Sequence, residues 1–151
     1  MKVKVLMCNC KGLCDSFKST DFNTLPFQVE SELDVAYVSL HPQTCGQGGN
    51  ELLADIMKNA DSETYILSAA CAPAAQDKLF RKIMRQTGFP AERFVPVDIR
   101  MTDNDGVLER IRQKVGEMIE SANPAKAEVV NDPGPSCCSG FVLEDEEQKI
   151  S

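Results

Sequence analysis

Polar and apolar residues alternate from Lys2 to Met7 (KVKVLM), with β-branched residues among the apolar ones, and this period of two predicts a first strand. Val35–Leu40 (VAYVSL) and Thr64–Ala69 (TYILSA) read as a second and third strand. Arg93–Ile99 (RFVPVDI) reads as a fourth, which Pro96 confines to an edge because proline cannot donate to a ladder. Between these runs the period lengthens. Leu52, Leu53, Ile56, Met57 and Ala60 share one helical face, and Leu79, Phe80, Ile83 and Met84 share another, stopped by Gly88 and Pro90. Val107, Leu108, Ile111, Val115, Met118 and Ile119 form a last face, with Asp103 or Asp105 near its start. Residues 15–33 carry the weakest signal, and Pro26 is expected to interrupt any helix there.

Strands alternating with helices make βαβ units with right-handed crossovers. The expected fold is therefore a three-layer α/β sandwich of the flavodoxin or Rossmann kind, built on a four-stranded, mostly parallel sheet. Periodicity stops at about Ser121. Residues 1–121 are expected to form the folded domain and residues 122–151 a disordered acidic tail, rich in turn formers and holding six acids and two bases.

Composition narrows the function. Of the 151 residues, 42% are hydrophobic and 26% charged, as in ordinary globular proteins. A net charge of −7 disfavours a nucleic-acid platform. No apolar run reaches membrane-spanning length, and the N-terminus lacks a signal-peptide core, so a cytoplasmic location is expected. Seven cysteines, an odd number, then point to metal or redox chemistry rather than to disulfides.

Five of these cysteines follow strands. Cys8, Cys10 and Cys14 come after the first, Cys45 after the second and Cys71 after the third, so all five are expected at the carboxyl edge of the sheet, where open α/β folds bind ligands. Four thiolates are the common ligand set of iron–sulfur clusters; zinc, which favours paired C-x2–4-C knuckles, fits the spacing poorly. Gly46, Gly48 and Gly49 lie between a strand and a helix, where backbone N–H groups can approach an anionic cluster. Pro73 is placed to open the helix after Cys71, which predicts a lowered pKa for that thiol. The same loop makes a poor dinucleotide fingerprint, because Glu51 stands where the last glycine belongs.

His41 reads as a ligand, a cluster-tuning donor or a surface cap. Lys78, Arg81, Lys82 and Arg85 form a basic helix face, either simply solvated or a docking patch for an acidic redox partner. Cys137 and Cys138 are an incidental or a redox-active pair. No acid/base pair marks a catalytic residue.

On these residues the chain resembles the N-terminal domain of the A-type subunit of heterodisulfide reductase over about residues 3–120. The likeness is carried by VLMCNC, CGQGGNEL, LSAACAPAAQDKLFRKIMRQTGF and Asp98-Ile99-Arg100. It departs from that family at Lys11, where the family has glycine, in the extra Cys14, and in the absence of a cysteine shortly after Arg100. A fainter likeness, in TGFPAERF and the last helix, is to the iron–sulfur delta subunit of methyl-viologen-reducing hydrogenase. The resemblance implies a [4Fe–4S] cluster on Cys8, Cys10, Cys45 and Cys71, with Cys14 as an alternative ligand. It also implies electron transfer with flavoprotein or ferredoxin-type partners in anaerobic metabolism, with no flavin on this chain. Two other readings stay open: a thiol enzyme or sulfur carrier using Cys71, resolved by Cys137 or Cys138, and a cofactor-free scaffold for protein partners.

Overall fold

The computed structural model describes residues 1–123. Four parallel strands, β1 (Lys2–Cys8), β2 (Tyr37–His41), β3 (Thr64–Ala70) and β4 (Phe94–Asp98), form one sheet in the order β2-β1-β3-β4. The helices are α1 (Leu25–Glu32), α2 (Gln47–Lys58), α3 (Pro73–Thr87) and α4 (Asn104–Ala122). The expected α/β architecture is present, and the sheet is parallel throughout. The chain divides into a unit of Met1–Gly116, which holds the sheet, and a second from Glu117 onward, the boundary falling inside α4. Ala122, expected in the tail, closes α4.

Side chains alternate across the sheet. Leu6 and Ile66 face α2 and α3, packing with Leu53, Met57, Phe80, Ile83, Met84 and Phe94. The rings of Phe80 and Phe94 meet edge to face at 5.8 Å. Val5, Met7, Leu67 and Ala69, all fully buried, point to the opposite face. Right-handed crossovers put α1 there, because β1-α1-β2 and β2-α2-β3 run across the sheet in opposite directions. The side chain of Asn104 ties the start of α4 to the α1 region: its Oδ1 accepts from the Asp21 N–H at 2.7 Å, and its Nδ2 donates to Gln28 Oε1 at 2.8 Å.

Two sequence expectations need correction. Pro26 opens α1 instead of interrupting it: in the first turn its N–H would have no intrahelical partner, and its fixed φ already suits a helix. Strand β2 begins at Tyr37 rather than Val35, although the Ala36 N–H already donates to the Val3 carbonyl at 2.7 Å. Pro96 lies in edge strand β4, opposite Ser68 of β3, as its missing N–H requires. Gly88, at φ 74, caps α3 in the left-handed conformation.

Candidate functional site

In a parallel sheet every carboxyl end lies on one edge. Strand order reverses between β1 and β3, the switch point where doubly wound sheets open a crevice. Cys8 ends β1 beside this point, and Cys71 immediately follows β3 on its other side. Cys10 and Cys14 lie in the loop after β1, and Cys45 in the loop after β2. All five are free thiols: Cys8 buried, Cys14 and Cys71 half-buried, Cys10 and Cys45 exposed.

The loop after β1 is held in an uncommon shape. Cys10 and Lys11 have φ 51 and 58, a left-handed pair of non-glycine residues. The Lys11 N–H donates to the Pro42 carbonyl at 2.6 Å, and the Gly12 N–H to the Asn9 carbonyl at 2.9 Å. The first bond joins this loop to the one after β2. Cys8 sits in the joint, with its Sγ 3.9 Å from the Pro42 carbonyl and accepting the Thr44 N–H at 3.4 Å. Asn9 Oδ1 and Thr44 Oγ1, also buried there, have no hydrogen-bond partner among the described residues.

The loop after β2 leads directly into α2, with Gly46 as N-cap. Gly49 is buried, and a Cβ on it would overlap the Gln43 carbonyl and the Thr44 backbone. Its bareness lets the first turn of α2 lie on the loop that carries Cys45. A Cβ on Gly48 would meet nothing closer than His41 Nε2 at 3.8 Å. His41 acts as a local cap: its Nδ1 accepts the Gln43 N–H at 3.0 Å.

Pro73 opens α3, as expected, yet the thiol before it behaves in the opposite way. Burial pushes the Cys71 thiol up, and the negative charges of Cys8 and Cys45 add to this, outweighing a lowering from its backbone and from Arg100. Below the Cys71 peptide lies fully buried Gln76, whose Nε2 donates to the carbonyls of Cys71 at 2.7 Å and Val97 at 3.2 Å. Cys10 is also raised, by desolvation first and then by Cys14, Cys8 and Cys45. The thiol that is lowered is Cys14, through the Ser16 hydroxyl first, then the Ser16 backbone, with a contribution from Arg100.

Arg100 was visible in the sequence only as part of a likeness. In the structure it follows β4 at the thiol edge, clamped to Asp98 by two bonds of 3.0 and 2.8 Å, with its charge reaching Cys71 and Cys14. Leu13 and Met101, on neighbouring loops of the same edge, are 81% and 78% exposed. The Met101 N–H donates to the Ser16 carbonyl at 2.7 Å, joining those loops, and Met101 is itself left-handed at φ 59. No sequence pattern marks these contacts, because each depends on how two loops meet.

Among the described residues, no three His, Cys, Asp or Glu side chains are gathered closely enough to hold a single metal ion. Lys78, Arg81, Lys82 and Arg85 are all exposed on α3. Cys137 and Cys138 lie outside the described residues. Among those residues no helix is long and apolar enough to cross a membrane. No protein-family model matches the sequence, and no curated protein matches it.

Proposed function

We propose that this is an electron-transfer protein of the cytoplasm. On this reading the carboxyl edge of its sheet holds one cysteine-ligated iron–sulfur cluster of the [4Fe–4S] type and exchanges electrons with redox protein partners. The observation that carries the reading is that thiols follow three parallel strand ends on one edge of the sheet, around the β1/β3 switch point, close enough to feel one another's charge. Cys8, Cys10, Cys45 and Cys71 are the proposed ligands, with Cys14 as the alternative.

The donor set suits such a group. Soft thiolates are the usual ligands of the iron in such clusters, and the residues here offer five of them at one sheet edge. When bound, the cluster supplies one-electron chemistry. The protein's residues supply the setting. The Thr44 N–H donates to the sulfur of buried Cys8 and fixes its position between the two loops. Arg100 and Lys11 place positive charge near thiols that would otherwise repel one another. Exposed Cys10 and Cys45 leave the edge open to a partner.

Thiol catalysis by Cys71 has less support, since burial disfavours the thiolate it would need. The test is iron and sulfide analysis of anaerobically purified protein, with its visible spectrum before and after dithionite. About four of each per chain are expected, with absorbance that bleaches. Cys45→Ala and Cys71→Ala are each expected to lose most of the iron. Full iron in both variants, or a colourless protein that takes up no cluster on reconstitution, overturns the assignment.

A further inference from the structure

The outer surface of α2 and α3 carries a second feature, separate from the thiol edge. On α3, Lys78, Arg81, Lys82 and Arg85 stand at i, i+3, i+4 and i+7, the spacing that puts side chains on one helix stripe. The stripe runs about 10 Å along the axis at 1.5 Å per residue. All four are exposed, and among the described residues none pairs with a carboxylate. That is unusual in a chain of net charge −7, where acids are in excess.

Beside the stripe lies a groove of about 480 Å³ between α2 and α3. Ala54 and Leu79 supply apolar wall, Ile83 lies in it, and Lys82 brings the stripe to its margin. Leu79 is 47% exposed although it shares α3 with the buried core residue Phe80. Among the described residues Glu51 is the only acid lining the groove, and it is occupied by Gln47 Nε2 at 3.3 Å. Asp77, exposed beside Lys78, is the acid on α3. Lys82 thus lines the groove with the other three cations beside it on α3, and Glu51 stands on the α2 wall.

We propose that this groove docks an acidic segment of a protein partner, one that places carboxylates along the α3 stripe and an apolar side chain against Leu79. Charge complementarity selects the occupant. A long polyanion such as nucleic acid gains from the stripe but must approach a protein of net charge −7, and it has no use for Leu79. A short acidic and apolar segment uses both features, in the manner of a helix or strand laid in a groove. The docking does not depend on what the thiols hold.

The full 151-residue chain, uniformly labelled with nitrogen-15, is titrated with a synthetic amphipathic peptide bearing Glu and Leu at helical spacing. A control peptide carries Gln in place of every Glu. The Glu peptide is expected to shift the amide signals of residues 78–86 and 47–54, and to bind about tenfold more weakly when salt is raised from 50 to 300 mM. Lys82→Glu with Arg85→Glu should weaken it at least tenfold, and Leu79→Ser severalfold. These are surface changes, and an unchanged spectrum elsewhere shows that the fold is kept. Equal binding of the Gln peptide, shifts confined to other surfaces, or no binding overturns the proposal. So does tighter binding of an oligothymidylate through the same residues, or a stripe that proves to be the contact between two copies of this chain in light scattering.

Discussion

Two neighbouring glycines at the start of α2 are expected to respond in opposite ways to the same substitution. Gly49→Ala puts a methyl group into the Gln43 carbonyl and the Thr44 backbone. Backbone atoms cannot rotate aside, so α2 or the 43–44 loop must move. Overpacking of this kind costs about 1–3 kcal/mol, and rigid neighbours put the site near the upper end. The helix gains back roughly 0.5–1 kcal/mol on losing a glycine. The net expectation is a loss of about 2 kcal/mol. At Gly48 the nearest atom is His41 Nε2 at 3.8 Å, an ordinary contact, so Gly48→Ala keeps only the gain, about 0.5 kcal/mol. Equilibrium urea unfolding reads both. With a slope of about 2 kcal/mol per molar, Gly49→Ala lowers the midpoint by about 1 M and Gly48→Ala raises it slightly. Because the displaced loop carries Cys45 and the Thr44 N–H that binds Cys8, the proposed function adds that Gly49→Ala impairs iron uptake while Gly48→Ala does not. If Gly49→Ala is as stable as the wild type, the close approach of α2 to this loop is wrong, and so is the packing role assigned to Gly49.

Two further outcomes test the electrostatics of the edge. In cluster-free, reduced protein at pH 8, iodoacetamide should alkylate Cys14 faster than Cys71, and Ser16→Ala should slow Cys14; mass spectrometry of timed digests decides, and faster labelling of Cys71 contradicts the order given. The Arg100 hydrogen bonds hold the Asp98 carboxyl below its ordinary range, so the unfolded chain takes up this proton first as pH falls. The stability it contributes is whole above the unfolded carboxylate pKa, about 3.9, and is lost as pH falls through the lower folded value. Asp98→Asn should therefore flatten urea-monitored stability between pH 5 and pH 3, and an unchanged slope refutes the coupling.

The three long helices and the inner strands could be read from the sequence because each buries one face, and burial of one face imposes a period. Helix α1 escaped for a physical reason. It has only eight residues, buries Leu25 and Val29, and leaves Phe27 70% exposed, so its apolar positions trace no clean stripe. The edge strand β2 is half exposed throughout, which blurs its ends. The gathering of thiols was legible for a reason of topology: parallel strands all end on one side, so a cysteine after each of three strands must come to the same edge. The contacts each thiol makes were not, because they depend on how the loops fold and meet. The Ser16 hydroxyl acts on Cys14, the Thr44 N–H on Cys8, and the Arg100 guanidinium on Cys14 and Cys71.

Lys11 joins the two levels. The backbone at Lys11 is left-handed, the conformation glycine adopts without penalty. Cys10 is left-handed as well, and each such residue costs on the order of 1 kcal/mol. The loop keeps that shape because the Lys11 N–H is bound to the Pro42 carbonyl, across the joint in which Cys8 is buried. The strain therefore falls on the loop that carries Cys10, in the candidate site rather than in the core.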